Sequence, residues 1–303
     1  MTIKNIALTG GSGFVGSNLI NYLGNQEQLH ISLIGRSDLL TSTFAAKTDV
    51  IIHLAGKAHD LKKSSDPQEY YTVNFDLTKN LYDSFLKSDA KKFIFISSVK
   101  AAADSVEGSL DENRLANPVT PYGKSKLMAE EYIKSQPLPE GKSYYILRPC
   151  MIHGPGNKGN LNLLYQVVKK GIPYPLAAFE NKRSFLSVEN LCFVISELIY
   201  REDISSGIYN VADDVSLSTN EVVSILSVSL GKKPALWKIS KGFIQFLAKI
   251  GDKLHLPLTT ERLDKLTESY VVSNNKLTKA LNKPLSLSAE EGLKLTANSF
   301  KNT

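Results

Sequence analysis

Lys4-Asn5-Ile6-Ala7-Leu8-Thr9-Gly10-Gly11-Ser12-Gly13-Phe14-Val15-Gly16 is the stretch that decides the fold. Residues 4 to 9 read as a short buried strand. The glycines at 10, 13 and 16 then turn the chain into a helix with Val15, Leu19, Ile20 and Leu23 on one side. A strand that turns so sharply lets a pyrophosphate approach bare backbone, at the helix end whose dipole favours an anion. Glycines 11, 13 and 16 also satisfy G-x-G-x-x-G, and the missing Gly-Lys-Ser/Thr ending excludes a Walker loop.

Outward from this turn, strands and helices alternate. His30 to Ile34 reads as the second strand, ending in Gly35-Arg36-Ser37. A carboxylate at that end would suit the ribose of NAD, whereas the Arg36 guanidinium suits the 2′-phosphate of NADP. The expected cofactor is therefore NAD or NADP, with NADP favoured. Residues 37 to 48 are too few for a full βαβ unit, so the sheet is expected to be one strand smaller or to have that strand shrunken. Asp49 to Leu54 is the next strand, and Leu54-Ala55-Gly56 ends it in small residues where a cofactor would cross the sheet edge. A helix follows Pro67, with Tyr70, Val73, Leu77, Leu81 and Phe85 along one face. Phe93 to Ile96 is a buried strand ending in Ser97-Ser98, and residues 101 to 117 read as a polar, mobile loop. Tyr144 to Arg148 closes the series.

Between these two strands, Thr120-Pro121-Tyr122-Gly123-Lys124-Ser125-Lys126 opens a helix, with a hydroxyl to cap it and a proline in its first turn. Tyr122 and Lys126 stand four apart on one face. A cation beside a phenol stabilises the phenolate and lowers its pKa from about 10, so the pair can exchange a proton with an alcohol oxygen.

The alternation points to an α/β fold, a Rossmann-type doubly wound parallel sheet with a smaller, mainly helical C-terminal domain that takes the substrate. The sheet domain is expected from 1–150 with 183–212 returning to it, and the second from 151–182 and 213–303. Residues 241 to 254, with Phe243, Ile244, Phe246, Leu247 and Ile250, read as a core helix of that second domain in preference to a membrane or partner contact.

Composition excludes several classes. The net charge of +6 comes from scattered lysine pairs without a dense basic stripe, which argues against nucleic acid. No apolar run approaches the roughly 20 residues of a membrane span. Two cysteines, Cys150 and Cys192, and an N-terminus unlike a signal peptide fit a reducing compartment, so a cytoplasmic protein is expected. Cys150-x-x-His153 lacks a second pair, and no metal is expected. Asp111-Glu112 read as two solvated charges.

Several stretches together resemble the extended short-chain dehydrogenase/reductases, in the NAD-dependent epimerase/dehydratase branch that remodels nucleotide sugars. They are the glycine turn, His53-Leu54-Ala55-Gly56, Val73 to Leu81, Ser97-Ser98, Tyr122 to Lys126, Arg148-Pro149, Arg183-Ser184-Phe185 and Tyr209-Asn210-Val211. The Tyr/Lys block is most similar to that of UDP-galactose 4-epimerases. The resemblance implies a cofactor site from Gly10, Gly13, Phe14, Val15, Gly16, Arg36, Leu54, Ala55, Gly56, Asn74, Tyr122 and Lys126. It implies catalysis by Tyr122 as acid/base at the sugar C4 oxygen, with Lys126 lowering its pKa and Ser98 polarising that oxygen. Ser98, Asn160, Leu161, Arg183 and, more loosely, Arg262 would hold a UDP- or dTDP-hexose, with Arg183 on the diphosphate. A homodimer is compatible with it.

The departures carry information too. Ser98-Val99-Lys100 stands where dehydratases of the family have Thr-Asp-Glu, which argues against 4,6-dehydration. Met151 replaces an asparagine usual in epimerases. The expected activity is NAD(P)-dependent 4-epimerisation. Arg36 and the Ser-Val-Lys stretch speak for an NADPH-dependent 4-keto sugar reductase, and a non-catalytic dinucleotide-binding regulator is the third reading.

Overall fold

A computed structural model describes residues 3–24, 26, 28–35, 37–38, 47–57, 66–157, 159–254 and 258–302. Its strands are β1 (Lys4–Thr9), β2 (Leu29–Ile34), β3 (Val50–His53), β4 (Lys92–Ile96), β5 (Ser109–Leu110), β6 (Ser143–Pro149), β7 (Met151–His153), β8 (Phe185–Ser187), β9 (Gly207–Val211) and β10 (Val271–Val272). Six of them form one parallel sheet in the order β2-β1-β3-β4-β6-β9. The strand order reverses at β1, so a crevice opens beyond the C-terminal ends of β1 and β3. The register sets Thr9 opposite His53 there. Among the described residues β2 is the sheet edge, and residues 39–46 of the short linker lie outside them.

The helices are α1 (Phe14–Leu23), α2 (Pro67–Tyr71), α3 (Leu77–Lys87), α4 (Pro121–Ser135), α5 (Asn160–Lys169) and α6 (Val188–Tyr200). They continue with α7 (Thr219–Ser229), α8 (Lys241–Leu254), α9 (Thr260–Thr267), α10 (Asn275–Leu281) and α11 (Ala289–Ser299). Strand alternation sends side chains to opposite faces of the sheet. Ile6, Leu8, Val50, Ile52, Ile94 and Leu147 pack on one face with Leu19 and Leu23 of α1 and Val194 and Leu198 of α6. Ala7, Ile51, Phe93, Phe95 and Ile146 pack on the other with Leu81 and Phe85 of α3 and Ala129 and Ile133 of α4. Covering both faces makes the strands near-continuous apolar runs, and each fully buried Leu, Ile or Phe contributes about 1.5–3 kcal/mol.

A separate core joins α5, α7 and α11 through Leu161, Tyr165, Val222, Leu226, Leu293 and Ala297. A small one holds α8 against α9 and Leu176 through Ile244, Ala248 and Leu263.

Two sequence expectations are corrected. The extended stretch after Arg183 does not rejoin the main sheet: β8 pairs with β7 in a two-stranded sheet of its own, and only α6 and β9 return to the large one. The 101–117 segment is tied down: β5 pairs with β10, Asn117 N–H donates to Ala102 O at 2.8 Å, and Glu112 accepts from Asn210 N–H at 2.7 Å. Glu112 is thus an anchor for β9, not a solvated charge.

Candidate active site

The glycine turn is built by close approach. Gly10 has φ +71° and an added Cβ would lie 2.7 Å from Ala55 N; one on Gly16 would lie 2.2 Å from Gly10 O. These positions tolerate only hydrogen, and α1 starts from Gly13 with its first N–H groups facing the turn. Phe14 and Val15 supply that first turn, their side chains packing against the core under the sheet.

His53 ties the turn to the next loop. Thr9 Oγ1 accepts from Ala55 N–H at 3.0 Å and lies 2.7 Å from His53 Nδ1. Thr78 Oγ1 donates to Asn74 O at 2.8 Å and lies 2.9 Å from His53 Nε2. Thr78 therefore accepts from Nε2–H, and Thr9 donates to a bare Nδ1: a neutral imidazole with one tautomer. Burial pushes the His53 pKa down to about 3, with the Lys126 charge acting in the same direction.

A π-helical turn, Thr72–Asp76, widens the helix between α2 and α3 and delivers Asn74 into the crevice. Asn74 Oδ1 accepts from Lys57 N–H at 2.7 Å, and its amide donates to Lys57 O at 3.2 Å and Ser125 Oγ at 3.1 Å. A Cβ on Gly56 would stand 3.0 Å from Asn74 Oδ1 and 3.1 Å from Lys126 Nζ, so Gly56, Asn74 and Lys126 share one small space. Leu54 and Ala55 border it, packed against the two faces of the sheet.

Helix α4 brings the chemistry. Thr120 caps it by accepting from Gly123 N–H at 3.2 Å, and Asp104 holds Val119 N–H at 2.6 Å and Thr120 Oγ1 at 3.2 Å. Gly123 is required: a Cβ there would lie 2.4 Å from Lys100 O. That contact lets the first turn of α4 lie against the Ser98–Ala101 turn, and the Ser98 and Tyr122 hydroxyls are hydrogen-bonded. Burial raises the Tyr122 pKa, and the Ser98 hydrogen bond only partly opposes this. Lys126 is buried, donates to Ile96 O at 2.9 Å and lies 4.8 Å over the Phe95 ring. Burial lowers its pKa to about 8, against the pull of Glu130.

The expectation that Lys126 depresses the Tyr122 pKa is corrected for this state. The ammonium is drawn to a carbonyl at the end of β4, and desolvation governs the phenol.

The helix is held from behind by a buried ion pair. Glu130 takes Arg148 Nη2 at 2.5 Å and Nε at 3.0 Å, and accepts from Ser97 Oγ at 2.5 Å.

The proposed substrate residues do not all converge. Asn160 and Leu161 open α5; the Leu161 side chain belongs to the helical core, so only its backbone could meet a phosphate. Arg183 donates to Glu268 O at 3.1 Å and to Lys265 O, with the Glu268 carboxylate 3.5 Å away. Burial lowers its pKa while Glu268 raises it. Arg262 lies exposed in the first turn of α9, whereas Arg183 meets the end of that helix. Arg36 lies outside the described residues. Cys150 and His153 are buried, and His153 Nδ1 is 2.8 Å from Thr296 Oγ1.

The family model described as "NAD dependent epimerase/dehydratase family" matches residues 6–212. The chain belongs to that family. A UDP-glucose 4-epimerase of Vibrio cholerae is 31% identical over 326 residues, covering 98% of this chain and 95% of that one. An N-acetyl-α-D-glucosaminyl-diphospho-ditrans,octacis-undecaprenol 4-epimerase of Escherichia coli O157:H7 is 31% identical over 245 residues, covering 76% of this chain and 73% of that one. Among solved structures, the UDP-N-acetylglucosamine 4-epimerase of Bacillus cereus shares the fold with a TM-score of 0.78, at 20% identity over 98% of this chain and 99% of that one.

In this family member, the sequence alone assigned no role to Thr9, Thr78 or Gly123, and Lys100 entered only through the Ser-Val-Lys stretch. Lys100 Nζ donates to Asp104 O at 2.6 Å and lies 4.5 Å over the Tyr270 ring, whose hydroxyl donates to Ala103 O at 2.7 Å. Burial lowers the Lys100 pKa, and the nearby Arg183 charge adds to this. The Tyr-Gly step at 122–123 was the available signal for close packing; the threonines gave none.

Proposed function

We propose that this enzyme interconverts the C4 epimers of a UDP-linked hexose, with Tyr122 carrying the proton. The observation that carries this reading is the Ser98–Tyr122 hydrogen bond beside buried Lys126, at the mouth of the glycine crevice. The crevice fits a dinucleotide: close backbone packing at Gly10 and Gly16 makes a sharp turn without side chains, where a pyrophosphate can approach bare backbone, and Gly56 leaves the wall bare beside Asn74 and Lys126. Gly10, Gly13, Phe14, Val15 and Gly16 would hold the diphosphate, Leu54, Ala55 and Gly56 the wall, and Asn74 and Lys126 the nicotinamide end. When bound, the oxidised nicotinamide supplies a hydride acceptor at C4 and a positive charge that opposes the upward push on the Tyr122 pKa. Ser98 would orient the C4 hydroxyl and Tyr122, as the phenolate, would accept its proton as C4 gives up its hydride. After the 4-keto sugar turns over, the hydride would be given back to the opposite face of C4 and the Tyr122 phenol would return the proton to the C4 oxygen.

Lys126 would hold the nicotinamide ribose through its ammonium. Arg183 and the first turn of α5 would take the diphosphate of the substrate, with 151–182 and 213–303 forming the substrate side. NADP in place of NAD rests on Arg36; we favour NAD, as in the family's description.

A second reading concerns what lies beyond the diphosphate. The Escherichia coli relative is named for a polyprenol diphosphate sugar, and α8 exposes Phe243, Phe246, Leu247 and Leu254 here. A lipid-linked sugar would use the same C4 chemistry. The test is turnover by Tyr122→Phe on UDP-glucose and UDP-N-acetylglucosamine. A fall of about a hundredfold or more with UDP affinity unchanged supports the reading; near-normal turnover overturns it.

A further inference from the structure

Helix α8 carries two apolar stripes, and the fold uses one. At 100° per residue, Ile244, Ala248 and Gly251 fall together and are buried against Leu176 and Leu263. Phe243, Phe246, Leu247 and Leu254 fall roughly a quarter-turn or more away and are exposed, Phe243 by 53% and Phe246 by 59%. Trp237, 57% exposed, precedes the helix, and exposed Leu266 follows on α9.

The charges of the helix are one-sided. Asp252 is its one acidic residue, and it accepts from Thr260 N–H at 3.0 Å and Thr260 Oγ1 at 2.8 Å. Lys241, Lys249 and Lys253 are exposed, and among the described residues they form no ion pair. Lys238 adds a fourth exposed cation just before the helix.

The presentation is rigid. A Cβ on Gly251 would lie 1.7 Å from Leu258 O, so α8 and the start of α9 are locked backbone to backbone. An apolar stripe of aromatics and leucines bordered by exposed lysines matches the interface of a bilayer rich in anionic lipid.

We propose that α8 docks this protein on an anionic membrane surface, lying in the interface with Phe243, Phe246, Leu247 and Leu254 among the acyl chains and Lys249 and Lys253 at the headgroups. No described helix is long and apolar enough to cross a membrane, so α8 lies on the surface. Arg183 bonds the end of α9, the helix packed on α8, so docking holds the proposed diphosphate site near the lipid surface. The docking stands independently of the C4 chemistry.

The experiment is cosedimentation of the full-length protein with vesicles of phosphatidylglycerol and phosphatidylcholine in equal parts. The wild type should pellet, and raising the salt should release it. Phe243→Ser with Phe246→Ser should lower partitioning by about tenfold or more. Lys249→Glu with Lys253→Glu should lower it by a similar factor on these vesicles and barely alter it on phosphatidylcholine alone. Circular dichroism and the thermal midpoint of each variant report on the fold. A wild type that stays in the supernatant, or a folded serine variant that pellets equally, overturns the proposal. Self-association that the serine changes abolish, without vesicle binding, overturns it and gives the face to a second copy; binding only to a protein partner gives it to that partner.

Discussion

Helices α4 and α8 are of nearly equal length, 15 and 14 residues, and each carries three lysines, yet they bury opposite things. Helix α4 takes a lysine and a glutamate inside: Lys126 and Glu130 are almost fully buried, while Lys124 and Lys134 face water. Helix α8 buries only Ile244, Ala248 and Gly251 and leaves two phenylalanines and two leucines outside. Burying charge costs several kcal/mol per ion unless partners are supplied, and exposing aromatics forgoes stabilisation. Each helix thus departs from the arrangement that would maximise stability. In α4 the departure sets up proton transfer; in α8 it leaves a surface for something else.

The comparison is broken most forcefully by removing one partner of the buried pair behind α4. Glu130→Ala leaves the Arg148 guanidinium unpaired and Ser97 without its acceptor. Unfolding free energy should fall by about 3–5 kcal/mol, read from the denaturant midpoint. On α8, Lys253→Glu should stay within about 0.5 kcal/mol of wild type, because that side chain is solvated. Equal effects at the two positions would erase the distinction.

Lys126→Met should lower kcat/KM by about a hundredfold, or about 2.7 kcal/mol, with the protein still folded. The sign of its pH effect follows from its depressed pKa. The cost of burying the ammonium is fully present below about pH 8 and is relieved as pH rises from about 8 toward the unfolded value. Wild-type stability should therefore gain over that window while kcat/KM falls as the charge is lost; Lys126→Met should show neither change.

Arg183→Ala should weaken UDP by about 2 kcal/mol, equally for the free nucleotide and the nucleotide sugar, by calorimetric titration. Because Arg183 also bonds Lys265 and Glu268, the thermal midpoint is measured alongside. Unchanged UDP affinity would move the diphosphate elsewhere.

The last comparison is a pH slope, at His53. Its folded pKa is depressed to about 3, so its stabilising contribution is present above pH 6.5 and is lost as pH falls from about 6.5 toward 3. Wild-type stability should drop there by up to about 1.4 kcal/mol per pH unit from this group, and His53→Asn should flatten the slope.

What was legible in the sequence was what depends on neighbours along the chain. The 4–16 stretch declares its strand, turn and helix because glycine is needed where backbone meets backbone. Thr120-Pro121 declares the start of α4 through a local cap, and the Tyr/Lys face follows from helical spacing. The rest rests on partners far away in sequence. The pKa of Lys126 is set by burial, with Glu130 opposing it, and that of Tyr122 by burial, with Ser98 opposing it; the four-residue spacing reports neither burial. The pairing of β8 with β7 is likewise invisible from Phe185–Ser187 alone. For α8, periodicity gave the apolar residues correctly but not which stripe would be covered, since that depends on α9 and Leu176.

The central claim is that Tyr122 shuttles a proton while the hydrogen removed from C4 is the one returned. The most direct measurement is proton NMR of UDP-glucose and UDP-N-acetylglucosamine incubated with the wild-type enzyme and NAD in deuterium oxide. The account predicts the C4 epimer with protium retained at C4. Deuterium at C4, or no epimer while NADPH reduces a 4-keto sugar, would contradict it.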